Sequence, residues 1–188
     1  MLKLSNMIKE TATVAGGCFW CTEAIFKRLN GIISVLPGYA GGVKENPTYE
    51  EVCKGTTGHA ESTQIEFDPN IIPYEKILEV FWHTHNPTTL NKQGNDIGTQ
   101  YRSAIFYHTE KQKEEALKSK DEIEKIGLYK NKIVTEIVPF TNFYEAENYH
   151  KDYFDKNRNY PYCTYVIGPK IQELKEKYGK DIKKEYQQ

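Results

Sequence analysis

Two cysteines three residues apart, Cys18 and Cys21 in GGCFWCTEAIF, are the first residues whose type and spacing could do chemistry. A helix rises about 1.5 Å per residue, so both thiols share one face about a turn apart, within reach of a disulfide. Upstream, the β-prone run from Thr11 to Val14 meets Gly16 and Gly17; downstream, Phe19, Ile25, Phe26 and Leu29 follow at helical spacing as far as Gly31. Cys18 therefore falls on a strand-to-helix turn. There the positive end of the helix dipole and free backbone N–H groups are expected to lower its pKa, and the thiolate is the nucleophilic form. Two small buried hydrophobes would show the same spacing. A zinc site would need more ligands, and Cys53 and Cys163 stand apart from any second C-x-x-C.

A carboxyl group comes next. ESTQIEFD alternates with period two, which puts Glu61 on the same strand face as Thr63, Ile65 and Phe67. Desolvation there would raise its pKa and make it a proton donor near neutrality, able to protonate a leaving oxygen. A strand-edge glutamate paired with Arg102 is the competing reading. Fourteen tyrosines supply neutral donors on rigid apolar bodies, and most must simply pack. His59, His83, His85, His108 and His150 show no metal spacing and read as structural or surface residues, while GYAGG at 38 to 42 lacks the ending of a phosphate loop.

The elements that must position these groups can be read in order. Thr48 and Glu51 form a capping box for a short helix ending at Gly55, with Tyr49, Val52 and Cys53 on one face, and Cys53 reads as packing. Pro73 suits the first position of a helix whose stripe is Tyr74, Ile77, Leu78 and Phe81. After the loop NKQGNDIGTQ come the strand YRSAIFY, a charged helix begun by Thr109 and Gln112 and ending near Gly127, and the strand KIVTEIV. Glu145 to Lys156 reads as a helix with Ala146, Tyr149, His150, Tyr153 and Phe154 on one face, and Lys170 opens a lysine-rich amphipathic helix. Strands interleaved with helices, with no repeat or linker, predict one α/β domain over 1–188, its core at about 11–177 and a lysine-rich tail at 170–188.

With 188 residues such a chain buries about two thirds of its unfolded surface, enough for a core without staples. Its 25 basic and 26 acidic residues leave a net charge of −1, which disfavours nucleic acid or an anionic membrane as partner. Neither the opening MLKLSNMIKE nor any later stretch has the apolar length of a secretory signal or a span, and four cysteines suit a reducing compartment, so a soluble cytoplasmic protein is expected.

Six ordered blocks carry a resemblance: GGCFWCTEAIF (16–26), GYAGG (38–42), NPTYEEVCKGTTGHAE (46–61), GNDIGTQYRSAIFY (94–107), FYEAENYH (143–150), and PYC with VIGPK (161–170). Together they resemble the A-type peptide methionine sulfoxide reductases. The resemblance implies a two-layer α/β sandwich of one mixed sheet with ferredoxin-like connections, no metal or organic cofactor, and reduction of the S epimer of methionine sulfoxide in proteins or free. It implies Cys18 as nucleophile, Glu61 as acid, Tyr49 and Tyr101 as hydroxyls on the sulfoxide oxygen, Phe19 and Trp20 as the pocket for the methyl group, Asp96 as a polar site residue and Tyr162 as part of the lining.

It further implies a Cys18 sulfenic acid, closed into a disulfide and reopened by a thioredoxin-like partner. Many relatives read GCFWG and resolve from the C-terminal tail. Here Cys21, one helical turn away, is the expected resolving residue, with Cys163 in PYC as the alternative. Asn86 in HNPT, where Asp is frequent, is expected to affect only its loop. Outside this family, a thioredoxin-like dithiol oxidoreductase would also use C-x-x-C, although Phe19 and Trp20 rather than a proline lie between these cysteines. A module that binds sulfoxide or metal without turnover is the non-enzymatic alternative.

Overall fold

Elements follow one another much as the periodicities require. The computed structural model describes residues 8–187, so the opening stretch up to Met7 and Gln188 lie outside the description. In chain order it contains β1 (Glu10–Gly16), α1 (Phe19–Lys27), β2 (Ile32–Ala40), α2 (Tyr49–Cys53), β3 (Ala60–Phe67), α3 (Tyr74–Thr84), β4 (Lys92–Gln93), β5 (Asp96–Ile97), β6 (Ser103–Tyr107), α4 (Glu110–Lys125), β7 (Glu136–Pro139), β8 (Phe143–Glu145), α5 (Tyr153–Lys156) and α6 (Gly168–Tyr178).

The main sheet has the order β7-β6-β1-β3-β2-β8. Its neighbours are antiparallel except β6 and β7, which run parallel and make the sheet mixed. Within it, β1-α1-β2-β3-α3-β6 is ferredoxin-like: each helix connects strands that are not adjacent, leaving β6-β1-β3-β2 side by side. A crossover helix must lie on one face of the sheet, so both helices bury their apolar stripes there.

Alternation decides what those stripes meet. Ala12, Val14, Tyr39, Ile65, Phe67 and Ile105 point to the helix side and join Phe26, Ile77, Leu78 and Phe81 in the larger core. Each large side chain buried there is worth about 1.5–3 kcal/mol. The other face is lined by small residues, Ala15, Ala40, Ala60 and Ala104, around Phe106. Gly38 has no Cβ because the Phe143 ring occupies that space as β8 closes over the sheet edge.

Several elements differ from expectation for physical reasons. Pro73 sits at the N-cap of α3, one place before the expected first helical position. The loop 91–100 contains the β4–β5 hairpin. KIVTEIV pairs with β6 only from Glu136 onward, because the Val134 N–H is taken by the Pro87 carbonyl at 2.9 Å. The single helix expected from Glu145 to Lys156 is instead a strand end, a turn at Asn148–His150 and the four residues of α5. The break comes at Asp152, at φ 57°, where the buried Glu23 carboxylate captures the Asp152 N–H at 2.8 Å and a side-chain contact overrides helical propensity. The C-terminal helix starts at Gly168, two residues before Lys170, behind a π-helical turn at Cys163–Ile167.

Candidate active site

β1 delivers the chain to α1 through Gly17, at φ +88°, where an added Cβ would lie 2.5 Å from the Gln93 side chain, so only glycine fits. Cys18 follows as the N-cap residue of α1. It is 7% exposed and faces a cavity of about 270 Å³ that it shares with Cys21, Asp96, Tyr162 and Lys170. Cys21 lies one turn on and hydrogen-bonds with the Cys18 thiol, as the helical spacing required.

Glu61 is buried on the helix side of β3, opposite Tyr39 in the β2–β3 ladder. Its Oε2 accepts the Phe19 N–H at 3.0 Å. Burial pushes its pKa up to about 8, and the nearby Asp96 carboxylate adds to that, against the partial relief given by the Phe19 N–H. At neutral pH the carboxyl is protonated. Because Oε2 is held as an acceptor, the proton belongs on Oε1. Arg102 is engaged elsewhere, 3.3 Å from Glu136, which rules out the surface pairing as Glu61's environment.

Cys18 departs from expectation. Burial pushes its thiol well above the ordinary range, and its hydrogen bond with Cys21 and the nearby Glu61 push the same way. Two features explain why the helix terminus does not lower it. Glu61 takes the Phe19 N–H, and the Tyr162 hydroxyl, which acts to lower the thiol, is engaged with Asp96 Oδ2, to which it donates at 2.7 Å, so its relief is partial. Its oxygen lies 4.0 Å from Cys21 Sγ. Cys21 moves the other way: the Cys18 thiol donates to it, and Lys170 adds positive charge, so the pair's more acidic member is Cys21.

Three walls enclose this turn. Tyr49 and Tyr101, both half-buried, have hydroxyl pKa values raised first by burial and then by Glu61, which places all three groups together. Phe19 stacks on Tyr49 with ring centres 6.4 Å apart, and Trp20 lies flat on Tyr153 at 3.6 Å. Asp96 and Tyr162 close the thiol side, reached through the β4–β5 hairpin. Cys163 is fully buried at the start of the π-helical turn, close enough to Cys21 to feel its charge.

Cys53 does not pack as expected. α2 is only five residues long and buries Val52 alone, which leaves Cys53 exposed at its end. The capping box at Thr48 and Glu51 is present. Asn86 acts within its loop, accepting Thr88 N–H at 3.0 Å. Sequence reasoning passed over Glu147, His150, Tyr153 and Lys170. The helical stripe through His150 and Tyr153, and the blocks FYEAENYH and VIGPK that contain Glu147, His150 and Lys170, were their traces.

The sequence model of the family described as peptide methionine sulfoxide reductase matches residues 10–183. The chain belongs to the peptide methionine sulfoxide reductase family. The reductase is 57% identical over 169 residues to peptide methionine sulfoxide reductase MsrA of Sulfolobus acidocaldarius, covering 88% of this chain and 93% of that protein. In fold it is similar to reduced Mxr1 from Saccharomyces cerevisiae, with TM-score 0.78, 39% identity and coverage of 86% and 92% of the two chains. It is also similar to Mxr1 from that yeast in complex with Trx2, with TM-score 0.56, 29% identity and coverage of 81% and 90%. Among the described residues no cluster of His, Cys, Asp and Glu could hold a metal, and no helix is long and apolar enough to cross a membrane.

Proposed function

We propose that the reductase converts the S epimer of methionine sulfoxide, peptidyl or free, to methionine, with Cys18 as nucleophile and Glu61 as acid. The observation that carries this is a carboxyl buried without an ion-pair partner beside a thiol where a strand turns into a helix. The Cys18 sulfur attacks the sulfoxide sulfur. Glu61 Oε1, Tyr49 and Tyr101 hydrogen-bond the oxygen as its negative charge grows, a stabilisation strengthened by the dry pocket. Phe19 and Trp20 take the methyl group, so the chirality at sulfur decides which epimer fits.

The first step is balanced as Cys18–SH + R₂S=O → Cys18–SOH + R₂S. Because the resting thiol is held protonated, its proton must leave as the sulfoxide arrives and presents a positive sulfur. Asp96 and Tyr162 shape the cavity on the thiol side. Cys21 then attacks the sulfenic sulfur, a Cys18–Cys21 disulfide forms and water leaves. Cys21 is favoured over Cys163 because it touches Cys18 in the shared cavity and carries the lower pKa of the pair. A dithiol reductant of the thioredoxin type reopens the disulfide, a role supported by the Mxr1–Trx2 complex. Four unpaired cysteines fit the reducing cytoplasm, and the family match over 10–183 supports reading 1–188 as one catalytic domain.

One equivalent of substrate without reductant tests the scheme. Wild type and Cys21→Ser should each release one methionine, and only wild type should lose two thiols, mapped to Cys18 and Cys21. Cys18→Ser should release none; a full burst from that variant removes the nucleophile from the scheme, and a Cys18–Cys163 bond in wild type transfers the resolving role.

A further inference from the structure

Four residues, Glu147 to His150, touch two walls of the substrate pocket. On one side Glu147 accepts the Tyr49 backbone N–H at 2.9 Å and the Tyr39 hydroxyl at 2.8 Å. On the other, His150 Nδ1 accepts the Trp20 indole N–H at 3.0 Å. The imidazole is fully buried, its ring centre 4.9 Å from that of Phe19 and 4.5 Å from that of Tyr49. An indole nitrogen can only donate, so Nδ1 must be bare and the neutral ring carries its proton on Nε2. That N–H has no hydrogen-bond partner; the nearest carboxylate oxygen, on Glu147, is 3.9 Å away and already accepts from Tyr39. A buried donor left unpaired is costly, which points to the acceptor side of the ring as what the fold needs there.

Stacking on Tyr153 fixes the plane of the Trp20 indole but leaves it free to rotate within that plane. A directional bond at Nε1 removes that freedom. We propose that His150 is a positioning residue which, as the Nε2–H tautomer, fixes the Trp20 indole as a wall of the pocket for the substrate's methyl group. This rests on Phe19 and Trp20 forming that pocket, and the test separates the two ideas.

Single-turnover reduction of a peptidyl methionine sulfoxide, without reductant, gives a half-saturating concentration and a maximal rate for wild type, His150→Phe, His150→Asn and Trp20→Phe. Phenylalanine keeps the ring and deletes the acceptor; asparagine places Oδ1 where Nδ1 was. His150→Phe should raise the half-saturating concentration about three- to tenfold, the worth of one hydrogen bond, and leave the maximal rate within about twofold. His150→Asn should recover most of this. The ¹⁵N indole resonance of Trp20 should move in His150→Phe and stay near its wild-type place in His150→Asn, while the resonance of buried Trp82 reports that the fold is intact. If His150→Phe does not fold, His150→Leu replaces it with the same expectations. An unchanged half-saturating concentration in His150→Phe, beside a raised one in Trp20→Phe, overturns the positioning role alone. No effect in Trp20→Phe overturns the methyl pocket, and the positioning role with it.

Discussion

The two ends of α1, separated by about 14 Å of helix, treat charge in opposite ways. At the C-terminal end the buried Arg28 donates to Ala24 O at 2.7 Å and Asp155 Oδ1 at 2.6 Å, with its guanidinium over the rings of Phe154 and Tyr186. Lys27 reaches Asp155 at 3.1 Å and also pairs with Asp152. Burial pushes Asp155 up, but Arg28, then Lys27 and Arg158, outweigh it and hold the carboxylate below its ordinary range. At the N-terminal end Glu61 is more deeply hidden, 1% exposed against 19% for the Asp155 side chain, and, among the described residues, has no ion-pair partner. Between them Glu23, which accepts backbone N–H groups from Asp152 and Tyr153 and feels the Lys27 charge without pairing with it, is pushed by burial up to about 7. A carboxyl shielded from water stays ionised where a cation pairs with it and keeps its proton where none does. One end of the helix is built to hold charge, the other to hold a proton.

The largest effect should come from removing that proton. Glu61→Gln is expected to slow the first turnover by about 10²- to 10⁴-fold, the range for loss of a positioned acid, whereas Asp155→Asn should leave it unchanged. Equal losses in the two variants, read by quenched single-turnover methionine release, would break the distinction between the ends.

Stability should respond in the reverse pattern. Arg28→Met leaves the Asp155 carboxylate without its closest cation and should cost about 3 kcal/mol in urea unfolding at pH 7, with single-turnover chemistry intact. The double variant Arg28→Met/Asp155→Leu removes both charges and should recover part of that loss. No recovery would mean that Arg28 acts through its packing on Phe154 and Tyr186 and not through charge.

What could be read in the sequence were the features that local periodicity fixes. Alternation along ESTQIEFD put Glu61 on the buried face, the Gly17 turn put Cys18 at a helix start, and Thr48 with Glu51 announced α2. What could not be read depends on partners far along the chain. The Phe19 N–H goes to Glu61, 42 residues away, and burial under residues as distant as Tyr162 reverses the expected sign at Cys18. The Asp152 N–H goes to Glu23, 129 residues away, and this breaks the helix through His150. Cys53 faced inward on a helical wheel, but a five-residue helix pinned by Val52 alone has no second turn to press that face down. His150 could be placed on a buried stripe, yet its tautomer follows only from seeing the Trp20 indole meet it.

The two ends should also tilt stability with pH in opposite directions. Glu61 holds its proton more tightly folded, near 8, than at its ordinary 4.5. Below 4.5 both states are protonated and nothing is lost; between 4.5 and 8 the unfolded state ionises while the folded state does not, so wild type loses stability as pH rises, and the loss levels off above 8. Asp155 is held below its ordinary 3.8, so its contribution is fully present above that value and disappears as pH falls through the lowered one. Glutamine at 61 does not titrate. Unfolding free energies of Glu61→Gln relative to wild type should therefore rise by roughly 2 kcal/mol from pH 5 to 7, while those of Asp155→Asn relative to wild type stay flat over the same interval and turn upward only in acid. A flat Glu61→Gln difference from pH 5 to 7 would mean that the carboxyl is already ionised in the fold, and the acid assigned to the sulfoxide oxygen would then have no proton to give.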